Sequence, residues 1–585
     1  MSGCVTAWER PFCGDLKVAD IGRRVELVGW VRRRRDLGGI IFIDVRDRAG
    51  WVQVLFPVEP LQSEAAALSP EDVIRVVGRV MARPADMVNT DMATGEIEVH
   101  ADALEVLNHA ETPPFVVEDR VNASEELRLR HRTLDLRRPE MMATLLLRDR
   151  ITFAVRDYFH RAGFIDVETP ILTRSTPEGA RDFLVPSRLH HGEFYALPQS
   201  PQLFKQLLQV AGLGRYVQIA RCFRDEDLRA DRQLEFTQID VEASFVVEED
   251  MYTLIEGLFR EIFPLAGITP PQPFPRLTWD DAMERFGSDR PDLRFGMELV
   301  ELGPAAATCP LEFLRQAAAT GRVKGLVVPG GASLSRRQLD ELSEFVKAFG
   351  APGVLWLKIG PDGPAASAKK VLGEDGIRAL LTAAGAGDGE LLLVLGGTSK
   401  VVFAALGALR LELARKLGQI PAGRHAFAWI TDFPLLEWDD ETGRFYACHH
   451  PFTSPKPEDV ALLESEPGKV RARAYDVIMD GVELGGGSIR IHDAALQRRV
   501  FASLGIGENE ARHKFGFLLE AFRFGAPPHG GLALGLDRMV MLMAGRESIR
   551  DVIAFPKTTA GNCLLTDAPN TVDETQLTDL GVRLA

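Results

Sequence analysis

The stretch from Arg221 to Asp240, RCFRDEDLRADRQLEFTQID, constrains the fold more than any other part of the chain. Its two ends are apolar and β-prone, with Tyr216, Val217 and Ile219 on one side and Phe236, Ile239 and Val241 on the other. Its middle, Asp225 to Gln233, is almost wholly charged. That pattern predicts two antiparallel strands joined by a polar loop too long for a tight turn. Arg224 and Glu226 lie two residues apart and would share a strand face, and Arg232 and Phe236 share a parity on the returning strand. Such a face offers cations for phosphate, a carboxylate acceptor for a base amino group and an aromatic plane for stacking. A salt-bridged surface hairpin would show the same residues.

F-R-x-E, a loop, then R-x-x-x-F resembles motif 2 of the class II aminoacyl-tRNA synthetases, and FRDEDLRADRQ followed by EFTQID is similar to the bacterial aspartyl-tRNA synthetases in particular. Two companion motifs are present. From Met141 a helical period places Leu147, Ile151, Ala154, Val155 and Tyr158 on one stripe, Gly163 stops it, and Phe164–Val167 reads as a strand ending before Pro170. This resembles motif 1, which implies a homodimer interface at Pro170. GGLALGLDRMVMLM, residues 530–543, puts glycines that permit close backbone approach ahead of an apolar helix, and it resembles motif 3.

At 585 residues the chain should hold several domains. Five short β-branched runs, Val25–Val31, Ile40–Arg46, Trp51–Phe56, Val73–Met81 and Ile97–Val106, fit a small closed barrel, with an OB-fold the leading guess. Alternation sets Ile41, Ile43 and Val45 on one face of the second run and Phe42, Asp44 and Arg46 on the other. In the third run Gln53 points outward beside Trp51 and Leu55. The formal charge of −15 argues against a generally basic nucleic-acid coat, yet the run Arg32–Arg35 makes this region locally electropositive. RRRRDLGGIIFIDVRDRAGWVQV resembles the anticodon-binding barrel of the family, which implies that Phe42 and Gln53, with Arg32 beside them, contact anticodon bases.

The fold class expected is therefore α+β multidomain. An OB-fold anticodon domain (1–107) and a hinge (108–140) precede a class II antiparallel-sheet catalytic domain in two parts (141–290 and 422–555). An α/β insertion (291–421) separates the parts, and a C-terminal extension (556–585) folds back over the catalytic domain. Within the insertion, Ser335 and Gln338 form a Ser-x-x-Gln capping box and Gly350 closes the helix.

The remaining segments resemble the family's substrate sites. TRSTPEGARDF (173–183) with Glu178 matches a mobile loop, and LPQSPQLFKQLL (197–208) supplies Ser200, Gln202 and Lys205. His449 and His450 are adjacent and would face opposite ways on a strand, which argues against a metal pair. AYDVIMDGVELGGGSIRIH (474–492) sets Asp476 and Glu483 seven apart, then a glycine triplet before Arg490. The resemblance implies Arg224 and Arg538 as catalytic cations, and Arg224, Glu226, Arg232, Phe236, His449, Glu483 and Arg538 around ATP. It implies Asp476 and Glu483 for Mg2+. Glu178, Ser200, Gln202, Lys205, Asp240 and Arg490 would surround L-aspartate, with Asp240 steadying Lys205.

The activity so implied is ATP-dependent formation of aspartyl-adenylate and transfer of the acyl group to the 3′ end of tRNA(Asp). Leu37 stands where relatives that also charge tRNA(Asn) often carry histidine, which favours the strict form. A non-discriminating ligase for tRNA(Asp) and tRNA(Asn) is the first alternative, followed by asparaginyl and lysyl relatives and an inactive tRNA-binding paralogue; an ammonia-dependent asparagine synthetase should lack the N-terminal barrel. Six scattered cysteines without C-x-x-C spacing indicate neither zinc nor a disulfide framework. With no signal-peptide pattern and no apolar run of membrane-crossing length, a cytoplasmic location is expected.

Overall fold

The computed structural model describes residues 8–176, 179–360 and 363–584. By internal contacts the chain forms two units. One comprises Met1–Asp149, Leu228–Gln233 and Ala544–Asp573; the other comprises Arg150–Asp227, Leu234–Met543 and Glu574–Ala585.

In the first unit, strands Arg24–Leu37, Ile40–Asp47, Gly50–Phe56, Val73–Ala82 and Ile97–Asn108 close a barrel in the order first, second, third, fifth, fourth. Each strand-like run of the sequence is a strand, because its β-branched residues alternate inward. Leu27, Val31, Ile43, Val45, Val52, Val54, Ile74, Val76 and Val99 fill the interior. After the barrel in the chain, Ser124 caps the helix Glu125–Arg130 by accepting from the Leu127 N–H. Arg132 donates to the carbonyls of Arg550 (2.7 Å), Ile553 (2.9 Å) and Ala554 (2.9 Å). A buried guanidinium thus collects the carbonyls of the segment that follows the helix Leu536–Met543; of the extension from 556 onward, the residues as far as Asp573 group by contacts with the first unit and Glu574–Ala585 with the second.

The second unit is built on an eight-stranded sheet, in the order Arg276–Thr278, Phe427–Thr431, Ala474–Met479, Val482–Ile489, His529–Gly535, Glu235–Ser244, Arg215–Phe223, Ile165–Asp166. The six inner strands run antiparallel to one another; each edge strand pairs in parallel with the inner strand beside it. Phe259, Phe263, Phe274 and Phe427 cluster between the helix Glu248–Ile262 and this sheet. The glycine triplet lies where strands crowd. A Cβ on Gly487 would meet Gly531 O at 2.0 Å, and one on Gly485 would meet Ala533 O at 2.1 Å.

A separate five-stranded antiparallel sheet, in the order Leu299–Glu301, Arg322–Val328, Leu391–Gly397, Leu355–Gly360, Gly363–Ala366, lies within the same unit with helices on it. The Ser335 capping box forms, with the Gln338 N–H donating to Ser335 Oγ and the Ser335 N–H donating to Gln338 Oε1. The division between the units falls inside the helix Pro139–Arg161, which buries Leu147, Ile151, Val155 and Phe159. Phe159 takes the buried place expected for Tyr158, whose hydroxyl donates to Leu254 O. No helix among the described residues is long and apolar enough to cross a membrane.

Candidate active site

The charged run of motif 2 leaves the sheet as expected, but earlier. The strand ends at Phe223 and the next begins at Glu235, so Arg224, Glu226 and Arg232 lie in the loop and not on strand faces. Six ionisable side chains between Asp225 and Arg232 cannot be sheltered by a ladder, and the pairing closes with the Arg224 N–H donating to Leu234 O. Arg224 sits over the Phe236 ring, its guanidinium carbon 5.0 Å from the centroid. Arg232 belongs by contacts to the first unit, where its N–H donates to Arg229 O.

The strand Glu235–Ser244 carries the most buried charges of the second unit. Lys205, from the helix Gln202–Val210, is 1% exposed and donates to Asp240 Oδ1 (3.0 Å) and Leu532 O (3.2 Å). Arg490 is 2% exposed and grips Glu242 with two N–H groups, at 2.9 and 3.1 Å. Glu242 also lies 3.5 Å from Lys205, so one carboxylate joins both cations. Room for it comes from Gly531, where a Cβ would stand 2.1 Å from Glu242 Oε2. Burial pushes Glu242 upward, but Arg490 and Lys205 outweigh it and hold the group below its ordinary range. At Asp240 burial wins over Lys205, and that carboxyl is raised. The negative charge of the cluster is therefore held more firmly on Glu242 than on Asp240, with two cations around it.

Two orphaned atoms border this cluster. Asp240 Oδ2 and Gln202 Nε2 are buried without a hydrogen-bond partner among the described residues, an arrangement that asks for a polar ligand. Ser200 Oγ accepts from the Gln202 N–H. The loop Thr173–Phe183 is anchored at its far end by Gln199, which bonds Asp182 and both backbone groups of Ala180. Glu178 lies outside the described residues.

Along the same sheet, Asp476 faces Gly486, whose missing side chain is filled by the Asp476 carboxylate; a Cβ there would sit 2.0 Å from Oδ1. His449 Nε2 is 3.4 Å from that oxygen. Glu483 is pushed above its usual range by burial and then by the charge of Asp476, against the pull of Arg538. Arg538 is held by its own donation to Glu483 O (2.8 Å), and by its neighbour Asp537, which accepts from the Thr237 N–H (2.7 Å). His449 and His450 do serve different groups, as adjacency suggested. His450 Nε2 accepts from Arg490 at 2.7 Å, and burial, then the Arg490 charge, keeps the imidazole well below its usual pKa.

In the barrel, Phe42 is half-buried. Gln53 lies on the face expected but is buried there: it accepts from Arg35 (2.9 Å) and donates to Glu98 (2.8 Å), because the facing strands supply charged neighbours that cover it. Arg32 lies over the Trp51 ring at 4.4 Å and pairs with Asp44 and Glu118. Pro170 is exposed beside Ile165, Ile171 and Leu172, which are also exposed, as is Phe153 (73%). Sequence reasoning missed Glu242. Its signal was parity with Asp240 on one strand, an acidic pair on a face that also holds Gln238.

Residues 124–559 match the tRNA synthetases class II (D, K and N), and residues 25–107 match the OB-fold nucleic acid binding domain. An aspartate–tRNA(Asp/Asn) ligase of Thermoanaerobacter pseudethanolicus is 52% identical over 578 residues, 98% of either chain. The chain belongs to the aspartate–tRNA ligases of class II. A relative from Geobacillus kaustophilus named aspartate–tRNA ligase is also 52% identical, over 97% of this chain and 98% of its own. Among solved structures, the asparaginyl-tRNA synthetase of Pyrococcus horikoshii with asparaginyl-adenylate superposes with a TM-score of 0.59 at 20% identity, covering 94% of this chain and 98% of that one. The aspartyl-tRNA synthetase of Entamoeba histolytica gives 0.57 at 18% identity, covering 94% and 91%. At those identities the likeness is one of fold, and it extends to the barrel and the antiparallel sheet described above.

Proposed function

We propose that this ligase activates L-aspartate with ATP and transfers it to tRNA(Asp), in the cytoplasm and as a homodimer. The observation that carries the choice of amino acid is the buried pair Lys205 and Arg490 joined through Glu242. Two fixed cations beside an orphaned amide suit a small diacid: its side-chain carboxylate meets Lys205 and Arg490, and its ammonium meets Ser200, Gln202 and Glu178. Asparagine would turn an amide N–H2 toward those cations. Stranding a buried charge in this way costs about 3–5 kcal/mol, roughly a few hundred- to a few thousand-fold, so no separate editing site is needed.

In the first step an aspartate α-carboxylate oxygen bonds to the α-phosphorus, the bond to the β-phosphate oxygen breaks, and pyrophosphate leaves with the electron pair. Arg224 neutralises the α-phosphate, while Arg232 and Arg538 take the outer phosphates. Phe236 and Arg538 hold the adenine between them and Glu226 accepts from its amino group. Asp476 and Glu483 fit Mg2+: they are hard oxygen donors, the charge of Asp476 raises the cost of ionising Glu483, and two carboxylates plus phosphate oxygens is how this ion is commonly bound. When bound it would neutralise triphosphate charge. His449, whose Nδ1 is buried without a partner among the described residues, stands beside them for a phosphate oxygen. The terminal ribose 3′-hydroxyl oxygen then bonds to the acyl carbon, the bond from that carbon to the adenylate phosphate oxygen breaks, and AMP leaves with the electron pair while its phosphate takes the hydroxyl proton.

Phe42, with Gln53 and Arg32, is assigned to the anticodon; Gln53 reaches a base only by exchanging partners with Arg35 or Glu98. Ile171 and Leu172, exposed next to Pro170, with Ile165 and Phe153 exposed earlier in the same motif, support the dimer, because exposed large apolar side chains of this kind mark interaction surfaces. Leu37 favours tRNA(Asp) alone; of two relatives at 52% identity, one is named for both tRNAs and the other is named aspartate–tRNA ligase. Charging assays on purified tRNA(Asp) and tRNA(Asn) test this. Acylation of tRNA(Asp) only is expected; equal acylation of both would replace the strict form by the broader one.

A further inference from the structure

The helix Trp279–Phe286 ends at Gly287, whose left-handed φ of 67° turns the chain into Ser288, Asp289 and Arg290. The Arg290 N–H donates to Ser288 Oγ (3.2 Å), which tightens that turn. The next residues, 292–297, are unusually well fixed for a loop. Arg410, buried in the helix Ser399–Lys416, donates to the carbonyls of Asp292 (2.8 Å), Phe295 (3.0 Å), Gly296 (2.8 Å) and Met297 (3.0 Å). Its guanidinium also lies over the rings of Phe286 (4.9 Å) and Phe295 (4.2 Å). The Asp292 carboxylate holds Arg294 at 2.7 Å, and Arg294 reaches Asp480 at 3.5 Å. A Cβ on Gly481 would stand 3.0 Å from Asp292 Cβ, so the Asp480–Gly481 turn lies against this loop.

That turn joins the two strands bearing Asp476 and Glu483. Glu483 lies two residues beyond Gly481 and Arg290 two residues before Asp292, so the packing of Asp292 on Gly481 sets Arg290 toward the acidic pair. The Arg290 side chain is exposed, and among the described residues it takes no carboxylate within 4.0 Å. Arg538 is engaged with Glu483 O, and Arg224 with the Phe236 face. A guanidinium with its donors open, beside carboxylates it does not pair with, is placed for an anion that arrives between them.

We propose that Arg290 grips the outer phosphates of ATP, and the pyrophosphate they become, with Arg410 as the positioning residue that fixes its turn; this rests on the ATP-dependent reading above. A planar fork of N–H donors suits phosphate oxygens, and a cation there takes charge that grows on the leaving pyrophosphate. None of the three motifs contains either arginine.

The test is aspartate-dependent ATP–pyrophosphate exchange by the full-length enzyme, varying ATP and aspartate separately, in Arg290→Ala and Arg290→Lys. The KM for ATP should rise at least tenfold in the alanine variant and less in the lysine variant, with the KM for aspartate within twofold and an unchanged melting curve. An ATP constant within twofold of normal, or parallel loss of both constants with a lowered melting temperature, overturns the proposal. Arg410→Lys should raise the ATP constant alone; movement of both constants or of neither removes Arg410 from it. If the unsubstituted enzyme shows no aspartate-dependent exchange, the functional reading falls instead. Equilibrium binding of radiolabelled ATP then decides on Arg290, weakened binding by Arg290→Ala supporting it and equal binding overturning it.

Discussion

Glu242→Gln is the most informative single change, because it keeps the shape of the buried cluster and removes the charge that joins it. Glu242 is fully buried and accepts two N–H groups of Arg490 at 2.9 and 3.1 Å, with Lys205 at 3.5 Å. Glutamine retains one acceptor oxygen and turns an N–H2 toward the other guanidinium donor. Removing one partner of a buried ion pair costs about 3–5 kcal/mol, a large share of the roughly 5–15 kcal/mol that stabilises a typical domain. The loss is read locally by amide hydrogen exchange of the Glu235–Ser244 strand, which avoids treating two units as one transition. Protection there should fall by roughly a few hundred- to a few thousand-fold at pH 7. The pH dependence has a definite sign. Glu242 is depressed in the folded chain, so its contribution is complete above the ordinary glutamate value of 4.5 and is lost as pH falls through the folded value. The gap between wild type and variant should therefore shrink under acid. Equal protection at pH 7, or a gap unaltered down to pH 3, would refute the reasoning.

Arg490→Ala should cut aspartate-dependent ATP–pyrophosphate exchange to below about one hundredth of normal, since Glu242 and the substrate carboxylate both lose their partner; near-normal exchange would remove Arg490 from the site. Gly486→Ala would put a Cβ 2.0 Å from Asp476 Oδ1, so the carboxylate must swing away from Glu483. A higher magnesium requirement for exchange is expected, and an unchanged magnesium titration would count against the paired-carboxylate reading. Phe42→Ala should lower tRNA charging about tenfold, as loss of one stacking platform does, while exchange stays intact; equal loss of both steps would argue against an anticodon role.

Periodicity and chain breakers made part of the fold legible in the sequence. The barrel strands and the capping box at Ser335 follow from alternation and from one Ser-x-x-Gln pattern, and the structure has them within a few residues. The motif 2 strands were legible too, but not where they end. Parity placed Arg224 and Glu226 on a strand, and the cost of desolvating so many charges puts them in the loop. Gln53 shows the opposite failure. Its face was read correctly and its exposure was not, because Arg35 and Glu98 come from other strands and no local pattern announces them. Glu242 and Arg410 were missed for a related reason: a buried charge is intelligible only beside partners brought from far along the chain. Motif resemblance named the residues of the pocket, but their linkage through Glu242 had to come from geometry.

The central claim is that buried Lys205 and Arg490 select a small diacid for activation by ATP. It is tested most directly by measuring ATP–pyrophosphate exchange with aspartate, asparagine, glutamate and lysine in turn. Aspartate alone should sustain turnover. Comparable turnover with asparagine or lysine would contradict it.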